Sequence, residues 1–131
     1  MKQFIWILLL LCAVLVLHVV SVSFDVFLVT PAIITGHSME PTLRDGQLVL
    51  VLNDDIVQIQ RGDIVAAYMQ CQNITEFVSK RIVAVPGDTV NGQVLPPNMY
   101  WIEGDNKEHS VDSRTCGPIT RDQIQGVILW Y

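Results

Sequence analysis

Ile74-Thr75-Glu76-Phe77-Val78-Ser79-Lys80-Arg81-Ile82-Val83-Ala84-Val85, ended by Pro86-Gly87-Asp88, is the stretch from which the fold is read. β-Branched residues recur along it and no helical apolar spacing develops, so it reads as one long strand closed by a turn. Residues two apart share a face of a strand, which sets Val78, Lys80, Ile82 and Ala84 on one side and Ser79, Arg81, Val83 and Val85 on the other. A lysine in an apolar row is either an edge residue whose stem lies along the surface with its ammonium in water, or a buried amine. The neighbouring segments repeat the strand-and-turn pattern. Gln47–Leu52 follows Asp45-Gly46, and Asp63–Met69 follows Arg61-Gly62. Thr89-Val90 and Gln93–Leu95 flank Asn91-Gly92, a pair suited to a type I′ hairpin turn. Met99–Glu103 and Gly126–Tyr131 are further strands, and Asp122–Gln125 has room for a single helical turn. The fold expected is mainly β, an antiparallel sandwich or barrel.

Ahead of this region, Phe4 to Val22 contains no charged residue. Nineteen helical residues at about 1.5 Å each come close to the ~30 Å hydrocarbon core of a bilayer. Lys2 precedes the run and Asp25 follows it, a bias that puts the N-terminus in the cytoplasm and the rest outside. Ser21-Val22-Ser23 also resembles the small-residue cleavage site of a secretory signal, but the apolar run is longer than the ~7–15 residues of such a signal, which favours an anchor. His18, within the run, reads as an interfacial position. The expected organisation is a membrane anchor over residues 1–23 and one β domain over 24–131, too short to be two domains. Charged residues make up 16% of the 131 and hydrophobic ones 50%, which excludes intrinsic disorder. The net charge of −5 and the lack of any basic cluster longer than Lys80-Arg81 exclude an electrostatic nucleic-acid binder. Cys12 lies in the apolar run, so Cys71 and Cys116 remain for the outer domain, where an oxidising compartment permits a disulfide that spacing alone does not establish. Cysteine and histidine spacings suggest no metal, and Asn73-Ile74-Thr75 is a short glycosylation pattern.

Two local features bear on chemistry. In Gly36-His37-Ser38-Met39-Glu40-Pro41-Thr42-Leu43, a serine sits between a glycine two positions earlier and a proline three later. Such an irregular turn can expose a hydroxyl and converge backbone N–H groups, although the same pattern also occurs in ordinary loops. The second feature is Lys80. At the usual pKa of about 10.4, about one lysine in 2,500 is neutral at pH 7. Lowering that value to about 8 raises the neutral share to roughly one in ten, for about 3.3 kcal/mol of disfavoured charge, which apolar burial can supply. A lysine on the apolar face of a strand can therefore act as a general base for a serine hydroxyl.

With these residues in view, the chain resembles the type I signal peptidases, membrane-bound serine–lysine proteases. Gly36 to Leu43 is similar to the family's serine box, Gly62-Asp63-Ile64-Val65 to its second box, and Lys80 to Asp88 to its lysine box. Gly104-Asp105-Asn106, Ser110-Val111-Asp112-Ser113-Arg114 and Gly117 are similar to its last box. All four occur in the family's order. The resemblance implies a signal-peptidase-like β catalytic domain in which Ser38 is the nucleophile, Lys80 the general base and Ser110 the group that orients the lysine amine. It implies structural ion pairing among Arg81, Asp105, Asp112 and Arg114, and substrate contacts from Met39 and Pro41. It further implies secretory preproteins with Ala-x-Ala-like sites as substrates, a lipid bilayer as partner, a single-pass cell-membrane location, and neither cofactor nor metal. Gly36 stands where some bacterial members carry a serine of the oxyanion hole. Ala84 replaces a common glycine, Cys116 a frequent aromatic, and only the short Thr89–Leu95 hairpin stands where longer members have a large β insertion. Lys80 matches the bacterial type, since relatives of the endoplasmic reticulum carry histidine there.

His37 adjoins Ser38, but neighbouring side chains in an extended segment point apart, so it is badly placed as the base. Glu40 and Glu108 read as solvated. Phe24, Val26 to Val29, Ile33 and Ile34 are too apolar for a free linker and suit either a core strand or an apolar rim on the bilayer. The competing functions are a tethered β module that binds peptides without cutting them, a self-cleaving repressor protease, and a specialised peptidase such as one maturing pilins. The repressor reading expects a DNA-binding domain where the apolar run stands.

Overall fold

The structure, a computed structural model, describes residues 2–53 and 57–130, with side chains described outside residues 2–4, 20–27 and 130. Helix α1 (Lys2–Leu28) contains neither glycine nor proline. It stops just before Thr30-Pro31, where the proline ring disfavours helical backbone at the residue before it. Its described side chains over 5–19 are almost all apolar and are exposed. Among the described residues no helix is long and apolar enough to cross a membrane. The Ser21–Ser23 side chains lie outside the described set. The helix passes the expected boundary at residue 23 and leads directly into β1 (Val29–Ile33).

The chain continues through β2 (Leu48–Asn53), β3 (Ile64–Cys71), β4 (Ile74–Ala84), the hairpin β5 (Thr89–Val90) and β6 (Gln93–Val94), and β7 (Met99–Glu103). A short helix α2 (Ser113–Cys116) precedes β8 (Ile119–Thr120) and β9 (Ile124–Trp130). The antiparallel β class expected from sequence is observed. Seven strands share one sheet in the order β1-β2-β9-β3-β4-β7-β8, with β5-β6 apart as a ribbon. At its turn Asn91 and Gly92 both have positive φ, 51° and 78°, as a type I′ turn requires.

Central β3 is buried on both faces, which its unbroken apolar run Ile64 to Ala67 anticipates. Val65, Ala67 and Met69 join Ile82, Ile102, Ile119 and Ile124 in one core cluster. Ile64, on the opposite face, joins Ile34, Met39, Leu43, Val49 and Ile128 in another. The alternation read from β4 is also observed, with Lys80, Ile82 and Ala84 buried and Val83 exposed. Of the apolar stretch after residue 23, the part to Leu28 is helical, and β1 is an edge strand with Ile33 65% exposed rather than a core strand. The last strand starts at Ile124, two residues earlier than expected, and its expected end at Tyr131 lies outside the described residues. The single turn expected over 122–125 is a 3-10 turn at Arg121–Gln123, started by a capping box of Thr120 and Gln123. Helix α2 has no periodic signature at four residues; Asp112 caps it by accepting from Arg114 N. A disulfide links Cys71, at the end of β3, to Cys116, at the end of α2.

Candidate active site

Ser38 lies in the loop between β1 and β2. Gly36 holds φ +88° there, a conformation that favours glycine, and its N–H donates to Asp45 Oδ1 at 2.7 Å. Met39 and Leu43, both buried, anchor the loop in the second core cluster. From the opposite side, Asn106 N donates to Ser38 O at 2.9 Å and Asn106 Nδ2 to His37 O at 3.0 Å. Thr42 Oγ1 donates to Asp105 Oδ2 at 2.5 Å. The loop carrying Ser38 is thus held by apolar side chains beneath and by the Gly104-Asp105-Asn106 segment beside it.

Lys80 on β4 sits opposite Val65 in register and is 3% exposed. Its Nζ donates to Ser38 Oγ at 2.7 Å, joining residues 42 apart in sequence. Burial pushes the Lys80 ammonium below the ordinary lysine range, Asp112 and Glu76 oppose that, and Arg114 reinforces it. The amine is therefore both poorly solvated and in contact with the hydroxyl, the arrangement a lysine base needs.

The Ser110 hydroxyl donates to Asp112 Oδ2 at 2.7 Å. Asp112, fully buried, also accepts from Gly104 N at 2.9 Å and from Arg114 Nε and an Arg114 terminal nitrogen at 2.9 and 2.8 Å. Burial would raise its carboxyl pKa, but these donors outweigh it and hold the group well below the usual carboxylate range. Gly104 is required by close packing. A Cβ there would meet the Ser110 hydroxyl and come within 2.6 Å of Ser38 O.

Arg81, on the face of β4 away from Lys80, forms a fork with Asp105 at 2.8 and 2.7 Å and holds its carboxyl below the usual range. It also donates to Gly62 O at 2.7 Å, and Gly62 N and Asp63 O bond the Ile82 backbone, which explains the Gly62-Asp63 box. His37 Nδ1 pairs with Glu40 at 2.9 Å, and that hydrogen bond raises its pKa. His109 Nδ1 contacts Asn106 Oδ1 at 3.3 Å. Asn106 and Thr42 are support residues to which sequence reasoning gave no role; their place within the last and first boxes was the available signal.

Ser38 and Lys80 open into a cleft of about 510 Å³ whose walls are residues 32–39 and 76–80. Met39 lines its inner side, whereas exposed Pro41 does not line it. Among the described residues no group of three His, Cys, Asp or Glu side chains could hold a metal. A poorly solvated amine against a serine hydroxyl, at the bottom of a strand-walled cleft, suits the class of serine hydrolases that act on extended peptides.

The family model described as signal peptidase, peptidase S26, matches residues 3–94 and 89–131, and the chain belongs to that family. Mitochondrial inner membrane protease subunit 1 of Homo sapiens is 33% identical over 108 residues, covering 73% of this chain and 64% of that protein; the Mus musculus protein matches equally. Signal peptidase IB of Staphylococcus aureus is 29% identical, covering 94% of this chain and 85% of that protein. The chain thus spans just under two thirds of the length of the mitochondrial relatives.

Proposed function

We propose that the chain is a serine endopeptidase that removes N-terminal signal peptides from secreted preproteins, with Ser38 as nucleophile and Lys80 as general base. The observation that carries this is the 2.7 Å contact between Lys80 Nζ and Ser38 Oγ, with the amine buried. When the amine is neutral, the same contact lets the hydroxyl pass its proton to the nitrogen lone pair as Oγ attacks the carbonyl. The resulting ammonium protonates the leaving amine as the peptide bond breaks. The neutral amine then takes a proton from the water that hydrolyses the Ser38 ester, and the serine is regenerated. Asp112 holds Ser110 beside this site, while Arg81 and Asp105 brace the lysine strand against the segment that grips Ser38.

The substrate lies extended between the two walls, small side chains of an Ala-x-Ala site entering the cleft on either side of one that points away. Met39 contributes to the inner wall; Pro41 acts only through the shape of the loop. Residues 1–23 anchor the chain in the cell membrane, N-terminus in the cytoplasm and the β domain outside. The continuous apolar run of α1 supports this, its described side chains over 5–19 being exposed and almost all apolar. The test incubates the detergent-solubilised protein with a preprotein carrying an Ala-x-Ala site. Cleavage by wild type and its loss by at least a thousandfold in both Ser38→Ala and Lys80→Ala are expected. Intact binding without cleavage by wild type would replace the peptidase with a peptide-binding module.

A further inference from the structure

The cleft does not end at Glu76. β4 pairs with β7 only from Arg81 to Ala84, so the edge of residues 74–80 has no partner on the cleft side among the described residues. Past Glu76 this edge borders a second cavity of about 320 Å³, lined by Met69, Cys71, Ile74 and Thr115 together with Glu76 and Val111. Glu76 and Val111 line both cavities, so the two adjoin along this edge. The outer cavity is more apolar than the one around Ser38: Ile74 and Val111 are 63% and 56% exposed, Met69 is buried beneath, and the Cys71–Cys116 disulfide bounds the far end. Ile74, Glu76, Val78 and Lys80 share one strand face, so six residues, or roughly 20 Å, separate the outer pocket from the amine.

Strand directions orient the edge. Four successive antiparallel pairings, β1 to β2, β2 to β9, β9 to β3 and β3 to β4, make β4 run parallel to β1. α1 leads directly into the start of β1, where Val29 is level, through the paired residues Leu52, Val127 and Val65, with Lys80, so Ile74 lies six residues beyond that level on the α1 side. On the reading proposed above, a preprotein whose apolar segment shares the bilayer with α1 enters from the Ile74 end. We infer that the outer pocket is an apolar subsite for the substrate side chain about six residues before the one that supplies the scissile carbonyl, an aliphatic or aromatic residue at the end of the preprotein's apolar segment.

Preproteins differing only at that residue test the inference. Wild type is expected to process the Leu form with kcat/KM about tenfold above the Ser form, the scale one apolar side chain gives in a pocket. The ratio should fall toward one in Ile74→Ser and in Val111→Ser, which change exposed side chains. Equal kcat/KM for both forms in wild type, or a ratio unchanged in both variants, would overturn the subsite. A second arm needs no cleavage: Ser38→Ala is mixed with the preprotein carrying a photoreactive side chain at the same position. Crosslinks within residues 69–76 or 111–115 support the subsite, and crosslinks confined to other segments overturn it. Crosslinks in the outer pocket without cleavage by wild type would reject the peptidase reading and retain the subsite.

Discussion

Burial leaves part of the Lys80 amine neutral, and so able to take a proton, only by disfavouring the charged form that water would stabilise. Its lowered pKa means that the unfolded chain holds more protons than the folded one between the folded value and the ordinary lysine value of 10.5. Stability should therefore rise with pH across that interval. Urea unfolding of wild type and Lys80→Met at two pH values checks this: the variant, having no ammonium to bury, should be at least as stable as wild type near pH 7 and lose the upward slope. Activity follows the neutral amine, so kcat/KM should climb with pH along a limb centred below 10.5. A limb at or above the ordinary lysine value would contradict a buried base. Lys80→Arg keeps the charge but cannot be deprotonated at working pH, so it should be as inactive as Lys80→Ala. The choice between an edge lysine and a buried amine, left open by the apolar row around residue 80, is decided by the loop bearing Ser38, against which the buried amine packs and which no periodicity in β4 contains.

Among the elements, the segment from Gly104 to Arg114 ties the most parts together. Its backbone grips Ser38, its Asp105 meets Arg81 on β4, and its Asp112 collects donors from Gly104, Ser110 and Arg114. Gly104→Ala should lower kcat strongly while leaving the strands folded, because the added methyl displaces Ser38 and Ser110; circular dichroism beside single-turnover rates separates the two effects. Asp112→Asn should cost about 2–3 kcal/mol in denaturant unfolding, since a buried acceptor of several charge-assisted bonds is weakened and Arg114 loses its partner. The carboxyls of Asp112 and Asp105 have lowered pKa values, so their contribution to stability is complete above the ordinary value of 3.8 and is lost as pH falls through it toward the folded values. Thermal melts from pH 6 to pH 2 should show that acid limb, shallower in Asp112→Asn. Strand positions were legible here because alternation is local. The cap at Asp112 was not, because the pair Asp112 and Arg114 reads equally well as a solvated loop until the fold buries one member.

At the scale of the whole molecule, the disulfide between Cys71 and Cys116 joins the β3–β4 hairpin to α2 across 45 residues. Closing a loop of that length in the unfolded chain is worth about 4 kcal/mol in the chain-entropy account. The double variant Cys71→Ser, Cys116→Ser is expected to unfold at lower denaturant by about 2–4 kcal/mol, and reduction of wild type should move the midpoint the same way. What the sequence by itself determined was the local order: an apolar N-terminal run, strands set by alternation, the face of β4 that holds Lys80, and family boxes in their sequence. Only the tertiary structure decided that Ser38 touches Lys80, that Asn106 and Thr42 hold the serine loop, that Ser110 turns to Asp112, and that Cys71 meets Cys116. These are contacts between residues 42 to 69 apart, apart from Ser110 and Asp112. Hydrophobic periodicity records which way a side chain points from its own element, whereas a contact between loops exists only where the packed sheet brings their ends together.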